Sequence, residues 1–307
     1  MENTELRMLV GFPGCGKSTY AKELEKRGYR WHSSDNIREE YGLTGQTREE
    51  NVIVFRKLHE RIKEDLKNGI NCIYDATNLS RKNRMAFLQE IKSVKCTKIC
   101  CLMLVDIEEC KRRNQMRDAV VPDEVYSKFL TSFNTPAYFE GWDNIEVLTS
   151  GSFSAIDPEA FMSFSQDNRH HTLTLGEHMK KAYEYTVEAG ADPRVIRAAK
   201  YHDIGKPMTK RFENGKGEPT TDAHYYGHEH AGSYLYLITC AAEGIFSSGN
   251  EEAIREALYI STLIDLHMRP LNAWSSSNKS REKDRRMMGE DMFQDLIVLN
   301  TADVTAH

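Results

Sequence analysis

Residues 11–18 have the types and spacing of a loop that binds phosphate. The run Gly-Phe-Pro-Gly-Cys-Gly-Lys-Ser fits the pattern GxxxxGK[ST] at every fixed position, between an apolar segment and a helical one. Glycines let successive backbone N–H groups point at phosphate oxygens, and the start of the helix adds partial positive charge. The segment therefore predicts a site for the phosphates of a nucleotide.

The residue types within this loop suggest separate roles. Lys17 is expected to reach the β- and γ-phosphates of a nucleotide, and the Ser18 hydroxyl is expected to bind Mg²⁺. A glycine-rich loop without a ligand is the alternative interpretation. The residues predicted to contact ATP and its Mg²⁺ are Gly11, Gly14, Cys15, Gly16, Lys17, Ser18, Thr19 and Asp75.

A second set of residues has the chemistry of a phosphoryl acceptor site. A kinase that acts on a hydroxyl needs a carboxylate to take its proton, and Asp35 follows a second strand-like segment where a helical pattern begins. Arg38 lies three residues later, so on a helix it shares a face with Asp35 and can hold a phosphate of the acceptor. The alternative is that Asp35 caps the helix and Arg38 is solvated.

Asp75 and a group of arginines are further candidates. Asp75 closes an apolar strand-like run, where it could orient an arginine or contact the Mg²⁺ shell. Arg113 and Arg117 are predicted to lie one turn apart on a helix, from which they can clamp the transferring phosphoryl group as a lid. A solvated helix face is the alternative for these arginines. The predicted catalytic residues of this half are Lys17, Asp35, Arg38, Arg113 and Arg117.

The elements that must position these residues alternate in type. Apolar strand-like runs at 6–12, 72–76, 97–105 and 145–149 are interleaved with helical patterns at 17–27, 48–68, 81–91, 107–118 and 122–133. Strict alternation of strand and helix predicts an α/β fold, with a parallel sheet that carries helices on both faces.

Together these residues resemble the P-loop polynucleotide kinase family, whose members phosphorylate 5′-hydroxyl ends. The resemblance spans nearly all of residues 5–148, and it implies Asp35 as general base, Arg38 as an acceptor-side phosphate contact and Arg113 or Arg117 as lid arginines. A related small kinase with another kind of acceptor is the alternative. The matching elements are residues 11–18, Asp35-Asn36-Ile37-Arg38, Asp75-Ala76-Thr77-Asn78, Arg113-Asn114 with Arg117, Val121-Pro122, and Pro136 with Glu140-Gly141.

The second half of the chain is rich in histidine and in helical periodicity. Nine of the 11 histidines follow residue 150, and helical patterns cover 176–189, 194–202, 226–242, 251–267 and 289–303. Helices that each supply one or two imidazoles or carboxylates can build a metal site at the centre of a bundle. The candidate ligands are His178, His202, Asp203, His228, His267 and Asp303.

The order of these ligands resembles the HD phosphohydrolase superfamily, over residues 170–303. The closest matches are residues 173–178 and the run His202-Asp203-Ile204-Gly205-Lys206. The resemblance implies that an all-α, HD-type domain holds one metal with His178, His202, Asp203 and Asp303, and a second metal with His228 and His267. Such a pair would activate water for attack on phosphorus, which also makes Asp203 a catalytic candidate.

Several alternatives stay open around this motif. His224 or His230 could replace His228, and His170 and His171 could contact the substrate or nothing. Lys206 could bind a phosphate or simply face water. Mixed His and Asp ligands suit Mn²⁺, Fe, Ni²⁺, Co²⁺ or Zn²⁺, so one or two divalent transition metals of open identity are expected.

The bulk properties set limits on this interpretation. A length of 307 residues favours two domains, predicted at 1–150 and 169–307 with a linker at 151–168. The net charge of -5 argues against one broad nucleic-acid-binding surface, although residues 1–150 are nearly neutral and leave room for a local basic channel. Seven cysteines without a CxxC pair, no long apolar stretch and no signal-peptide pattern predict a cytoplasmic protein without a membrane partner.

The two halves together predict a bifunctional enzyme that heals nucleic-acid ends. The first half would add a 5′-phosphate from ATP, and the second would remove a 2′-, 3′- or cyclic phosphate. The expected partners are RNA or DNA ends with a 5′-OH and 2′,3′-phosphates. A ligase that joins the healed ends is a possible functional partner. One alternative is a small-molecule or nucleoside kinase fused to an HD nucleotide phosphohydrolase. Another is a non-catalytic ATP-sensing module that regulates the HD domain.

Overall fold

A computed structural model describes residues 4–45, 47–117, 120–169 and 172–306. The chain divides into two compact units. The first comprises Met1–Pro122 and Glu140–Gly151, and the second comprises Asp123–Phe139 and Ser152–His307. The structure therefore groups residues 123–139 with the second unit, whereas the sequence analysis places them in a first domain of residues 1–150. The predicted linker at 151–168 likewise falls almost entirely within the second unit.

The first unit contains a five-stranded parallel sheet in the order β2-β3-β1-β4-β5. Strand β1 is central, and the glycine-rich loop follows its carboxyl end. This arrangement confirms the predicted α/β fold with a parallel sheet. The strands are β1 Glu5–Val10, β2 Arg30–Ser33, β3 Cys72–Asp75, β4 Thr97–Leu104 and β5 Asn144–Thr149.

Helices cover both faces of this sheet. Successive residues of β1, from Met8 to Val10, are fully buried, and successive side chains of a strand point to opposite faces. The first helix packs on one face, where Ala21 and Leu24 meet Leu9 and Ile73. The helices of this unit are α1 Lys17–Glu25, α2 Ser34–Tyr41, α3 Arg48–Lys67, α4 Arg81–Glu90 and α5 Ile107–Asn114.

Local signals in the sequence fix where two of these helices begin. The Ser33 hydroxyl accepts hydrogen bonds from the backbone N–H groups of Asp35 and Asn36, so α2 begins directly after β2. Thr47 and Glu50 form a reciprocal capping box at the start of α3. The first two helices, α1 and α2, therefore both begin at the carboxyl edge of the sheet.

The second unit is mostly helical, which confirms the helix-rich prediction. It also contains an antiparallel two-stranded ribbon, which an all-α domain would lack and which the sequence analysis did not predict. Its elements are α6 Asp123–Leu130, α7 Leu175–Glu188, α8 Pro193–Tyr201, α9 Lys206–Thr209, β6 Arg211–Glu213, β7 Pro219–His224, α10 His228–Ala242, α11 Glu251–Leu266, α12 Asn278–Met288 and α13 Glu290–Thr305.

Helix α10 lies at the centre of this unit. Every residue from Ala231 to Cys240 except Leu235 is buried, so the helix is covered on all sides rather than along one stripe. It packs against α11, and α7 packs against α8 and α13. The predicted metal ligands lie on these helices or, for His202, Asp203 and His267, directly after them. Within the described residues, no helix is both long and apolar enough to span a membrane.

Candidate active sites

The glycine-rich loop of the first unit holds its lysine in a defined position. The Lys17 ammonium donates hydrogen bonds to the backbone carbonyls of Gly11, at 2.9 Å, and Phe12, at 2.8 Å. Gly14 has φ 80°, and a Cβ atom there would lie 2.2 Å from the carbonyl oxygen of Cys110. A side chain at this position is therefore excluded by backbone, not only by strain. The loop can present N–H groups and one ammonium to a phosphate chain.

Ser18 and Asp75 meet at the carboxyl edge of the sheet. The Ser18 hydroxyl donates to the Asp75 carboxylate at 3.2 Å, and the Trp31 indole N–H donates to the same oxygen at 3.1 Å. Burial raises the pKa of Asp75, while the nearby Lys17 charge and these two hydrogen bonds act in the opposite direction. A hydroxyl and a carboxylate side by side are oxygen ligands of the kind Mg²⁺ prefers. Of the two roles considered for Asp75, the geometry favours the Mg²⁺ shell.

Asp35 and Arg38 lie on α2 as expected, but Asp35 does not cap the helix and the Arg38 guanidinium is not fully solvated. Ser33, not Asp35, caps the helix, and the Asp35 side chain is 76% exposed. The Nη2 atom of Arg38 donates to the Asn51 side-chain oxygen, while its Nη1 atom is buried and has no hydrogen-bond partner in the described structure. A buried guanidinium N–H without an acceptor is costly unless a ligand supplies one.

The two candidate lid arginines do not share a helix, contrary to the prediction. Helix α5 ends at Asn114, whose side chain donates to the carbonyl of Val121 and accepts from its N–H. Arg113 lies on α5, in an ion pair with Glu109 at 2.6 Å. Arg117 follows the helix, and its Nη2 atom lies 4.0 Å from the Asp35 carboxylate. Residue 118, the predicted helix end, lies outside the described residues.

In the second unit, four predicted ligands converge on one point. The Nε2 atoms of His178 and His202 lie 3.1 Å apart. An oxygen of Asp203 lies 3.2 Å from His178 Nε2, and an oxygen of Asp303 lies 3.1 Å from the same atom. One ligand atom from each of these four residues lies within 4.8 Å of all the others. These side chains could hold one metal ion.

A second group shares Asp203 with the first. The other Asp203 oxygen lies 3.1 Å from His228 Nε2 and 3.7 Å from His267 Nε2, and these two nitrogens are 3.2 Å apart. Each carboxylate oxygen of Asp203 thus faces a different histidine pair. The arrangement could hold two cations with Asp203 as the bridge. We call the six residues the His/Asp cluster: His178, His202, Asp203, His228, His267 and Asp303.

Backbone carbonyls orient all four imidazoles of the cluster. The Nδ1 atoms of His202, His228 and His267 lie 2.7–2.8 Å from the carbonyl oxygens of residues 199, 225 and 264, and His178 Nδ1 lies 3.3 Å from that of residue 306. When Nδ1 carries the proton, Nε2 presents a lone pair inward. Paired lone pairs about 3 Å apart repel unless a cation lies between them, which is the donor chemistry of a metal site.

The electrostatics of the cluster also favour a cation. Burial by itself lowers the pKa of His202, but the carboxylates of Asp203 and Asp303 outweigh it and raise that pKa to about 10. Although burial opposes it, Lys206 and the imidazoles hold the pKa of Asp203 well below its usual range. These shifts mark a strongly negative potential that a metal ion could satisfy in place of protons.

Lys206 does not face water at a helix end. It is 4% exposed, and its ammonium lies 2.6 Å from an Asp203 oxygen and 2.8 Å from the side-chain oxygen of Gln166. It also lies 5.5 Å from the centre of the Tyr225 ring. Lys206 therefore positions Asp203. A role in binding phosphate stays a prediction.

The structure also separates His228 from its neighbours. His230 Nδ1 lies 2.6 Å from an oxygen of Asp265, outside the cluster. His224 lies on β7 and stacks on Tyr226, with ring centres 5.3 Å apart. Only His228 of the three therefore belongs to the His/Asp cluster. His170 and His171 lie outside the described residues.

A third group of metal-ligand types in the first unit has a structural explanation. His32, Asp65 and Cys72 lie close together, but Asp65 already pairs with Arg30 at 2.5 Å and with His32 at 2.8 Å. Burial raises the pKa of the Cys72 thiol to about 12, so sulfur stays protonated at neutral pH. This group is neutralised without a metal ion.

Sequence reasoning missed residues that act through long-range contacts. Trp31 bonds Asp75, Asn51 bonds Arg38, and Gln166 bonds Lys206 across 13 to 44 positions of the chain. None of these pairs has a fixed spacing that a motif could encode. Trp31, the second residue of β2, was the one visible signal, because the indole N–H of a half-buried tryptophan usually finds an acceptor.

The parallel sheet, the loop after its central strand and the Ser18–Asp75 pair define a P-loop nucleotide-binding domain. Residues 6–136 match the family model described as AAA domain.

Two curated relatives match the same part of the chain. An L-seryl-tRNA(Sec) kinase of Methanococcus maripaludis is 26% identical over 144 residues, which is 45% of this chain and 56% of that protein. A bifunctional polynucleotide phosphatase/kinase of Schizosaccharomyces pombe is 25% identical over 152 residues, which is 47% of this chain and 33% of that protein. The match thus spans about half of the first relative's length and one third of the second's.

Two kinases of known structure are similar to about half of the chain. A putative kinase from Chloroflexus aurantiacus is 16% identical, with a TM-score of 0.41, and covers 48% of this chain and 89% of its own. The APS kinase of Mycobacterium tuberculosis is also 16% identical, with a TM-score of 0.36, and covers 48% and 90%. The first unit is a P-loop domain, and the two curated relatives that match it are kinases.

Proposed function

We propose that the chain is a bifunctional enzyme that heals nucleic-acid ends. Its first unit transfers the γ-phosphoryl group of ATP to a 5′-hydroxyl, and its second unit is an HD-type phosphohydrolase that removes 2′,3′-phosphates. The observation that carries this proposal is the pairing, in one chain, of a P-loop site that includes an exposed carboxylate with a His/Asp cluster able to hold two metals. The similarity to a polynucleotide phosphatase/kinase supports a nucleic-acid acceptor.

In the kinase step, Asp35 acts as the general base. Its carboxylate takes the proton of the 5′-hydroxyl, whose oxygen attacks the γ-phosphorus while the bond to the β,γ-bridging oxygen breaks and ADP leaves. Lys17 neutralises charge on the β- and γ-phosphates. Ser18 and Asp75 hold Mg²⁺, which supplies further charge neutralisation along the phosphate chain.

The acceptor is held by arginines around α2. The buried, unpartnered Nη1 of Arg38 offers a donor to a phosphate of the acceptor strand. Arg117 lies beside Asp35, so it is the better lid candidate of the two arginines. Arg113 is engaged by Glu109 and by the Ser150 hydroxyl, and it would need to leave them to contact ATP.

In the second unit, the His/Asp cluster would hold the metal ions, and Asp203 belongs to both groups of candidate ligands. A bound metal pair supplies Lewis acidity and lowers the pKa of water at the site. The carbonyls behind each imidazole fix the ligand tautomers, and Lys206 fixes Asp203. The cluster residues therefore need little movement to receive metal ions.

Phosphoryl transfer from ATP to a 5′-OH oligonucleotide tests the kinase proposal. We expect labelled phosphate at the 5′ end, and none after Lys17→Ala substitution. The similarity to a seryl-tRNA kinase makes seryl-tRNA the alternative acceptor, and free nucleosides are the small-molecule alternative. Transfer to either of these and not to the oligonucleotide would contradict the proposal. No transfer to any acceptor would favour an ATP-sensing module.

A further inference from the structure

The ribbon of the second unit, β6 and β7 with the residues up to Tyr226, differs chemically from the helices around it. Most of its side chains are exposed, and it lies in the chain between the two ligand runs of the His/Asp cluster. We propose that one side of this ribbon is a stacking surface for the bases of a single-stranded nucleic acid whose phosphorylated end enters the cluster. The inference rests on the proposed hydrolase function and names the substrate class of that site.

The position of the ribbon ties it to the cluster. In the chain, the ribbon lies between Lys206, whose ammonium contacts Asp203, and His228, which belongs to the cluster. Tyr225, at the base of the ribbon, lies against the Lys206 ammonium, which in turn contacts Asp203. Tyr225 is also held by a hydrogen bond from its hydroxyl to the Gln166 carbonyl. Tyr226 is the next residue in the chain after Tyr225.

Three flat groups lie together on this ribbon. The Arg211 guanidinium lies 4.4 Å from the centre of the Tyr226 ring, and the His224 ring is stacked on Tyr226 at 5.3 Å with an interplanar angle of 11°. Arg211 and His224 are directly opposite each other in the strand pairing. Tyr226 is nevertheless 45% exposed. We call these residues the Arg211 stack: Arg211, His224 and Tyr226.

An exposed aromatic and guanidinium stack is the chemistry that binds unpaired bases. Every nucleobase has a π-face, so stacking on tyrosine or arginine tolerates sequence variation. A strand end that must bring its terminal phosphate to a metal site is single-stranded at that end. The stack would therefore hold the penultimate or terminal base without selecting its identity.

The ribbon carries two basic residues, Arg211 and Lys216, and three acids, Glu213, Glu218 and Asp222, so its charges balance once Asp222 is paired with Arg169. Asp222 is paired with Arg169 at 2.6 Å, and Asp167 is paired with Lys210 at 2.5 Å. Among the described residues, Arg211 makes no ion pair, so its charge is available to a phosphate next to the stacked base. Glu213 is the exposed acid of β6 that lies nearest in the chain to Arg211, and its replacement with glutamine should strengthen binding.

The ribbon also offers a matched control residue. Phe212 is 46% exposed, almost the same as Tyr226, but its ring contacts Lys210, at 6.0 Å, and not the Arg211 stack. Loss of Phe212 removes an equally exposed aromatic ring from the same ribbon. If binding depends only on exposed aromatic area, replacement of either Tyr226 or Phe212 with alanine should weaken it. If Tyr226 belongs to a stacking site, only the Tyr226 variant should bind more weakly.

The test compares oligonucleotides that differ only in their bases. Full-length protein is given a ten-nucleotide strand with a 2′,3′-cyclic phosphate end, and the same strand with abasic sites at its last two positions. We expect Tyr226→Ala to raise KM for the normal strand about tenfold and to leave KM for the abasic strand unchanged. Tyr226→Phe should behave as wild type, and so should Phe212→Ala. Equal losses in Tyr226→Ala and Phe212→Ala, or no loss in either, would overturn the inference.

A second readout separates this inference from the proposed hydrolase activity. Strands that carry 5-iodouridine at the penultimate position are photocrosslinked to the full-length protein, and the modified peptides are mapped. We expect a crosslink in the segment 211–226 that disappears in Tyr226→Ala and persists in Phe212→Ala. If this result appears in a protein that hydrolyses no phosphate end with any divalent metal, the hydrolase proposal fails and the stacking surface stands. Crosslinks confined to other segments would overturn the surface itself.

Discussion

At the scale of single residues, Asp203 connects the two halves of the His/Asp cluster. Its two oxygens face different histidine pairs, so it is the one side chain common to both groups of ligands. Its identity followed from a His-Asp pair in the sequence. Its bridging geometry did not, because it depends on where four helices bring His178, His228 and His267.

Removal of the Asp203 carboxylate should strongly weaken metal binding. We expect Asp203→Asn to lower metal affinity by more than the roughly 10- to 100-fold that loss of an outer partner of a metal ligand costs. Mass spectrometry of metals in the purified protein measures this. His224→Ala is the control, since His224 lies in the same unit outside the cluster. Unchanged metal content in Asp203→Asn, or a loss in His224→Ala, would contradict the ligand assignment.

Asp35 should matter for chemistry and not for ATP binding. We expect Asp35→Ala to lower kcat for phosphoryl transfer by about 10²- to 10⁴-fold, because the 5′-hydroxyl loses its base. The KM for ATP should stay within about twofold of wild type, by the same reasoning. Asn36→Ala is the matched control, since Asn36 is the next exposed residue of α2. Transfer that persists in Asp35→Ala would show that another group takes the proton.

Under the proposed function, Asn51 positions Arg38 for the acceptor. Its side-chain oxygen accepts from Nη2 of Arg38, which leaves Nη1 buried and unpartnered. We expect Asn51→Ala to raise KM for the oligonucleotide about tenfold, the effect of one lost charge-assisted hydrogen bond, with kcat for transfer little changed. Asn51→Asp keeps the acceptor atom and should restore the wild-type KM. A loss of kcat without a change in KM would argue against this role.

At the scale of elements, periodicity predicted most of the fold. Helix α3 and strands β3 and β4 lie within one residue of their predicted bounds, because long apolar patterns and a capping box mark them. The ribbon was missed because its strands are short and mostly exposed, so no alternation of apolar and polar residues reveals it. The end of α5 was missed because it is set by Asn114 bonding Val121, a contact that helical periodicity does not encode.

The P-loop offers a test of backbone packing at the element scale. Gly14 and Gly28 both have positive φ, 80° and 92°, but only at Gly14 would a Cβ atom meet another group within 4 Å. We expect Gly14→Ala to abolish ATP binding, because the clash with the Cys110 carbonyl displaces the loop. Gly28→Ala should lower only the melting temperature, through strain of about 1 kcal/mol. Isothermal titration calorimetry measures the ATP affinity of both variants. Equal affinities would contradict the packing argument.

At the scale of the whole molecule, we propose that the two units bind different ligands. A ligand that binds only the folded state stabilises it by about 2.7 kcal/mol when present at 100 times its Kd. We expect ATP with Mg²⁺ to raise the midpoint temperature of an unfolding transition in calorimetry. Mn²⁺ or another divalent transition metal, added separately, should also raise such a midpoint temperature. The His202→Ala variant should lose the transition-metal shift and keep the ATP shift. Loss of both shifts in this variant would show that His202 is needed for the fold itself.

The central claim is that one chain repairs both ends of a broken strand. Mass analysis of an oligonucleotide with 5′-OH and 2′,3′-cyclic phosphate ends, after incubation with ATP, Mg²⁺ and each transition metal, tests it most directly. We expect the wild type to add a phosphate at the 5′ end and to remove the phosphate at the other end. Lys17→Ala should lose only the first change, and the His202→Ala, Asp203→Ala double variant only the second. An oligonucleotide left unchanged at both ends by the wild type under every metal would contradict the account.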